Sequence, residues 1–458
     1  MSADMFVWVA RMSSLRLLAF HRATLGQDSA AMEVSPALDK PAYRSGARRL
    51  FNRGFISLSI TQFFGAANDN ILKQVLTLSV AAGGVWDGKL GNGGQAYAVY
   101  FMALPFILFS GFSGQLADRY SKERLAFWVK VFEIFIAVVA FAGFWFQSVW
   151  FCLMAMFLLG THSAFYGPAK YGMIPELVDR GELSRANGII NMMTNLAVIA
   201  GTVVAGPVYA QFAGEGGGPQ QLWIPGAAMM AVAVAGLCAV LFLSKLPAQN
   251  PALQLRWHVV SPYVVTLREM ARTPVLRVMY GWALFYLIAA IVLLIISDYR
   301  DVLQVSSTRA VALMGVLGVS IGIGSGVAGW ISGHQIKPRL IPVGTIPLTV
   351  MFLLLATAPK RYDLVAFYIG VMGLFAGCYV IPLQSLLQKL SPDDSRGRFM
   401  GVANAFSFVT IIVGAAIFQG AKVLEIESQH VFYIAAALAA VGTAYYFFLL
   451  PPAVREDQ

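Results

Sequence analysis

Thr61–Val75 reads TQFFGAANDNILKQV and places Asn68, Asp69, Asn70, Lys73 and Gln74 inside an apolar segment long enough to cross a bilayer. Ionisable groups at membrane depth are expensive and usually face a bundle interior or a water-filled cavity, which makes them candidate functional groups. Asp69 follows Arg53 by sixteen residues, so on a helix it sits roughly 24 Å further in, beyond the centre of a roughly 30 Å hydrocarbon core. Asp69 and Lys73 are spaced i,i+4 and can neutralise each other on one helix face. Two readings stand. Asp69 and Asn70 line a cavity in which the carboxylate meets an ammonium group, or Asp69 and Lys73 form a structural pair. A buried pair adds little stability over apolar residues, which weighs against the second.

Other polar positions lie in apolar segments further along. Lys130 and Glu133 are spaced i,i+3; a snorkelling lysine shielding a shallow glutamate is the plain reading, with Glu133 as a proton or substrate site the alternative. Asn191 and Asn195, like Gln384 and Asn404, either face a cavity or hydrogen-bond between helices. No two of the five histidines have metal-ligand spacing, and no nucleophile–base constellation is visible. The small-residue run Gly315–Gly329 suits close helix packing, since no Walker lysine follows it. No cofactor, metal or catalytic residue is expected.

Composition sets the class that must position these groups. The 458 residues are 58% hydrophobic and 12% charged, with mean hydropathy +0.68; a soluble chain would be near a quarter charged. The net charge of +10 could suggest nucleic acid, but the basic residues are scattered through short loops between apolar segments, so the charge reports topology. Cys152, Cys238 and Cys378 fall in apolar segments at unrelated spacings, and no disulfide framework is expected.

About twelve spans are expected, near 55–82, 96–116, 125–146, 149–168, 187–212, 223–244, 276–298, 309–331, 340–359, 363–386, 399–422 and 431–450. Lys and Arg concentrate in alternate connections by roughly four to one, which predicts that those loops and both termini are cytoplasmic. Segment 246–275 divides the spans six and six and is expected to carry a basic amphipathic helix on the inner surface. The halves echo each other. Gly111–Arg124 after the second span resembles Gly326–Arg339 after the eighth, and Glu182–Gly188 before the fifth resembles Asp394–Arg398 before the eleventh. Two matches at one six-span offset point to duplicated halves, a hallmark of secondary transporters. Residues 1–53 are expected to be a cytoplasmic segment: either Met5–Phe20 forms an interfacial helix, or translation starts at Met32.

Gly114-Gln-Leu-Ala-Asp118-Arg119-Tyr-Ser-Lys122-Glu-Arg124 resembles the loop signature of the major facilitator superfamily between its second and third spans, with Ser121 where glycine is usual. In that loop Gly114 allows close helix approach, Asp118 caps the next helix or binds a neighbouring Arg, and Arg119, Lys122 and Arg124 hold the loop inside. A narrower resemblance is to the bacterial lysophospholipid transporters, especially the transporter portions of fusions with an acyltransferase. It is carried by Gln62–Asn70, Gly114–Asp118, Gly167-Pro168-Ala-Lys170-Tyr171-Gly172-Met-Ile-Pro175-Glu176 and Arg185-Ala-Asn187-Gly188. No acyltransferase HxxxxD signature is present.

The resemblance implies an all-α membrane protein of twelve helices, in two six-helix halves over 54–245 and 276–450, with a cytoplasmic tail over 451–458. It implies a secondary transporter in a bacterial inner membrane that moves lysophospholipids from the outer to the inner leaflet, by alternating access with lateral lipid entry. A cytoplasmic acyltransferase or acyl-carrier ligase would be its partner. Asp69, Asn70, Lys73, Glu133, Asn191 and Asn195 are the candidate substrate-binding residues. Gly114, Asp118, Arg119, Lys122, Arg124, Lys170 and Tyr171 are the candidate gate, with Lys170 engaging a phosphodiester or a gate carboxylate such as Asp118. The rival readings are a proton-coupled exporter of amphipathic drugs and a membrane scaffold for an acyltransferase.

Overall fold

A chain this apolar must pair its backbone polar groups internally wherever lipid surrounds it, and the helix does so within one segment. The computed structural model describes residues 50–81, 83–90, 95–305 and 307–455. The expectations for Met5–Phe20 and Met32 lie outside these residues. Regular structure among the described residues is helical: α1 (Arg53–Val80), α2 (Gln95–Arg119), α3 (Lys122–Trp145), α4 (Val149–Leu177), α5 (Leu183–Ala213), α6 (Ile224–Val240), α7 (Ser261–Met270), α8 (Val275–Ser297), the short α9 (Tyr299–Leu303), α10 (Ser307–Ser332), α11 (Leu340–Thr357), α12 (Tyr362–Leu390), α13 (Arg396–Val423), α14 (Phe432–Phe448) and the short α15 (Pro452–Arg455).

Among the described residues, ten segments are long and apolar enough to cross a membrane. The two other expected spans are helical as well: α1 has 28 residues with Asp69 and Lys73 inside it, and α6 is a shorter apolar helix of 17 residues. The helix α4 departs from expectation. Its span was expected to end at the helix-breaking Gly167-Pro168, yet the helix runs on through Pro168 and Pro175 to Leu177. Neighbouring helices bury both prolines' turns, and a packed membrane helix tolerates proline where an isolated one breaks.

One packing pattern occurs twice. In the first six helices α1 packs on α5, α2 on α4, and α3 on both α4 and α6. In the last six spans α8 packs on α13, α10 on α12, and α11 on both α12 and α14. The two sets meet along two seams, α2 with α13 and α5 with α10, which are equivalent pairs under this repeat.

Candidate functional site

Each seam closes at the end of the bundle that carries the basic loops. In the first seam, Asp118 at the end of α2 accepts hydrogen bonds from the backbone N–H of Gly397 (2.6 Å) and Arg398 (3.0 Å), and from Arg398 Nε (3.3 Å). Asp118 therefore caps a helix N-terminus, where a carboxylate meets unpaired N–H groups and the positive end of the helix dipole. That helix is α13, in the other set of six, and not α3, while the alternative expectation of a bond to a neighbouring Arg is met by Arg398. Gly114 lets α2 approach: a Cβ there would lie 2.6 Å from the Gly397 carbonyl oxygen and 2.8 Å from Arg398 Cα. Deeper along this seam the rings of Phe106 and Phe408 stack at 3.8 Å.

In the second seam a Cβ on Gly188 would lie 2.6 Å from the Ser325 carbonyl oxygen, and one on Gly329 would lie 2.8 Å from that of Ser184. Further along, the approach loosens to 3.4 Å at Gly322 against Asn195 and 3.7 Å at Gly318 against Ile199. A Cβ on Gly315, or on Gly206 in α5, would meet nothing within 4 Å. The α5–α10 pair thus splays away from the basic end.

Buried amides reinforce the second seam. Asn187 Nδ2 donates to Gln388 Oε1 (2.7 Å) and Ser385 Oγ (3.1 Å), while its Oδ1 accepts from Gln384 and Gln388, both at 3.0 Å. Asn191 Nδ2 donates to Gln384 Oε1 (3.2 Å). Every one of these bonds joins α5 to α12, across the two sets. A satisfied buried amide network fixes one arrangement, because a partner withdrawn leaves the rest desolvated and unpaired. Outside it, His334 Nδ1 lies 2.5 Å from Glu182 Oε1.

The linker helix α7 lies against the first seam. Tyr263 donates its hydroxyl to the Ile107 carbonyl (2.6 Å) and accepts from the Gly111 N–H (2.8 Å). Trp257 packs on Phe112 with centroids 5.0 Å apart, and the Arg256 N–H donates to Gln115 Oε1 (2.8 Å). Glu269 pairs with Arg398 at 3.1 Å, tying the linker to the guanidinium that also meets Asp118.

Within the first set, a buried ionic cluster joins α1, α3 and α4. Lys130 Nζ lies 2.6 Å from Glu133 Oε2, and both side chains are essentially without exposure. Asn68 donates to Glu133 Oε1 (2.8 Å), His162 Nε2 lies 3.4 Å from Glu133 Oε2, and the Lys130 ammonium stands over the Tyr166 ring at 5.5 Å. Gly65 makes room for that ammonium, since a Cβ there would be 2.8 Å from it. Lys130 is thus a buried partner of Glu133 and not the snorkelling lysine of the plain sequence reading. Its stem points inward because Glu133, one turn on along α3, supplies the countercharge, and Asn68 of α1 with His162 and Tyr166 of α4 supply the surroundings that lipid lacks.

Asp69 borders this cluster, half-buried. Its Oδ2 accepts from Ser163 Oγ (3.0 Å), and its Oδ1 is buried without a hydrogen-bond partner. Among the described residues no ion pair joins Asp69 to Lys73, which is exposed, so the expected pair does not form in this conformation. Asp69 turns toward Ser163 on α4. Asn70 and Asn195 bond to backbone carbonyls of their own helices, those of Ala66 and Asn191. The six candidate binding residues therefore divide. Asp69 and Lys73 keep polar atoms free of side-chain ion pairs, Glu133 is enclosed, and Asn191 belongs to the seam.

Of the gate candidates, Gly114 and Asp118 lie in the first seam. Lys122 is buried and pairs with Glu176 on α4 at 2.6 Å, so it is a structural tie and not a loop anchor. Arg119 rests over Tyr120 at 5.6 Å and Arg124 is exposed. Lys170, buried in the extended α4, sits over the Tyr171 ring at 4.3 Å. It does not meet Asp118, whose oxygens Gly397 and Arg398 occupy. Sequence reasoning missed Gln388, Tyr263 and Glu269 as seam residues. It quoted Asn187 within a motif, and the six-span echo of Glu182–Gly188 with Asp394–Arg398 was the signal for Asn187, Gly397 and Arg398.

Two equivalent helix sets that meet along paired seams are the build of a secondary transporter with duplicated halves. A sequence model described as Major Facilitator Superfamily matches residues 50–415 and 337–458. The chain belongs to that superfamily and is a multi-pass membrane transporter.

Its relatives narrow the comparison. The lysophospholipid transporter LplT of Photorhabdus laumondii is 26% identical over 354 residues, covering 74% of this chain and 81% of that protein. LplT of Cronobacter sakazakii is 27% identical over 377 residues, covering 80% and 87%. Among solved structures, the human organic anion transporter MFSD10 (TETRAN) superposes with a TM-score of 0.70 at 12% identity, over 86% of this chain and 99% of that one. The transporter FucP in its outward conformation gives 0.68 at 11% identity, over 86% and 98%. These two likenesses show the fold.

Proposed function

We propose that this protein carries lysophospholipids from the outer to the inner leaflet of a bacterial inner membrane. The basic end of the bundle and both termini face the cytoplasm in this reading, following the Lys/Arg asymmetry. The observation that carries it is the one-sided closure: Asp118 and Asn187 seal the basic end while α5 and α10 part beyond Gly318. This is one of the two states that alternating access requires, and it opens away from the cytoplasm. The kinship with two LplT proteins supplies the substrate class.

A lysophospholipid needs a polar station for its head and an apolar surface for its single tail. Asp69, with an unpaired buried oxygen, is the station for a cationic ammonium, and the exposed Lys73 is that for the phosphodiester. Splayed helices between the two sets let the tail enter sideways from lipid. The lipid delivered inside is a substrate for re-acylation, so a cytoplasmic acyltransferase is the partner this reading calls for. Drug export and scaffolding have no specific observation in their favour.

Reconstitution tests the proposal. Liposomes containing the protein and labelled lysophosphatidylethanolamine in the outer leaflet should move label inward faster than protein-free liposomes. Equal rates would overturn it.

A further inference from the structure

We infer that a cavity inside the second helix set is the binding site for the acyl tail of the transported lipid. The inference rests on the lysophospholipid reading. The cavity lies between α8, α10, α11 and α12 and holds about 470 Å³ of space, the open solvent at its mouth included. Its walls include Phe285, Leu317, Leu348, Phe352 and Ala376. The one hydroxyl among its lining residues, that of Tyr379, donates to the Gly281 carbonyl at 2.9 Å and is committed there. Water needs two or more polar partners to stay in a cavity, and this one has none to spare, so hydrocarbon is the matching occupant. Leu293 at its edge is 46% exposed, which leaves a way in.

The repeat sharpens the argument. Helices α4 and α12 have equal length, 29 residues, and Tyr166 and Tyr379 fall at the same position within them, as do Ser163 and Ala376. The register that aligns Gly111 with Gly326 aligns Glu133 with Leu348. Three positions that in the first set bear the ionic cluster, or the partner of Asp69, thus line the cavity in the second. The first set fills this place with Glu133, Lys130 and His162, whereas the second leaves it apolar and unfilled. An amphiphile between the two sets meets Asp69 and Lys73, which border the enclosed cluster, on one side and hydrocarbon on the other. Single-chain lipids match that division.

Ala376→Phe fills the cavity, and Ala289→Leu fills it less severely. Each methylene withdrawn from water is worth roughly fourfold in affinity, so wild-type protein should bind long-chain lysophosphatidylethanolamine far better than its short-chain homologue. The fillers should cut that ratio by about tenfold or more while leaving short-chain affinity unchanged. An unchanged ratio in a folded variant would overturn the site. Photolabelling covers the case in which neither variant folds. A lysolipid with a diazirine at its tail end should label α8 and α12 peptides of wild-type protein, in competition with unlabelled lysolipid. Labelling confined to other helices, or equal labelling by a two-chain phospholipid probe, would also overturn it. Absence of any lysolipid transport by wild-type protein would instead strike the reading beneath.

Discussion

Tyr263 inserts its hydroxyl between two backbone groups of α2. Its hydroxyl accepts from the Gly111 N–H and donates to the Ile107 carbonyl, the two groups an uninterrupted helix would pair i to i−4. The ring leaves no room for a side chain on α2, since a Cβ at Gly111 would lie 2.7 Å from Cζ of Tyr263. A side chain inserted in the helical ladder is a recognised cause of bending, and here it comes from the linker between the two helix sets. Burial pushes the Tyr263 phenol up to about 12, so it remains a donor through neutral pH.

Tyr263→Phe removes both hydrogen bonds to α2 and should weaken the first seam, with folding retained. Gly111→Ala should destabilise the protein by about 1–3 kcal/mol through overpacking. Combining it with Tyr263→Ala, which removes the ring, should restore much of that loss. Melting temperatures of the four proteins check this double-mutant cycle; additive losses would deny the contact its role.

Asp118→Asn keeps the shape of the cap and removes its charge. The weakened bonds to Gly397 and Arg398 should shift the two-state balance toward an open basic end by roughly 1–3 kcal/mol, about fivefold or more. A cysteine placed at Ser110, buried in the closed seam, should become accessible to a thiol reagent applied from the basic side. Arg398→Ala should behave alike, whereas Arg119→Ala, which loses only a contact with Tyr120, should not.

Asn187→Leu should open the same end through the other seam, leaving Gln384 and Gln388 desolvated at a cost of about 1–3 kcal/mol. The two seams share no residue, so Asp118→Asn and Asn187→Leu should be nearly additive in Ser110→Cys labelling. Strong non-additivity would mean that the seams open as one latch.

Glu133→Gln strips the buried Lys130 of its countercharge and should destabilise the protein by about 3–5 kcal/mol, with Lys130→Met recovering most of it. Asp69→Asn should fold normally, because no ion pair with Lys73 is lost, and Lys73→Met likewise. Uptake then separates their roles. Asp69→Asn should impair lysophosphatidylethanolamine more than lysophosphatidylglycerol, and equal loss for both lipids would remove Asp69 from head-group contact.

Sidedness is open to direct test. Reporter fusions after Lys89 and Arg361 should read periplasmic, and fusions after Lys122 and Arg256 cytoplasmic. A cytoplasmic signal at Lys89 would reverse the assignment of the sealed end.

The sequence by itself determined that this is a helical membrane protein, where most of its helices run, and that its halves are related. Those facts follow from apolar segment length and from loops repeated at a six-span offset, both of which are local properties. It also marked Asp69, Glu133, Gly114 and Asp118, because a carboxylate or a loop glycine at membrane depth stands out against its neighbours. Partners were another matter. Spacing on one helix suggested that Asp69 faces Lys73, but the carboxylate turns to Ser163 on α4, whereas the i,i+3 pair of Lys130 and Glu133 does form, buried and not at a shallow depth. Proline chemistry suggested that α4 stops at Pro168, but packing carries it to Leu177. Asp118 caps a helix 279 residues away in sequence, and Asn187 meets an amide 201 residues away. Low dielectric makes each buried polar group seek whichever partner the tertiary arrangement brings within about 3 Å. Which partner that is depends on how many similar helices pack together, and only the folded bundle decides it.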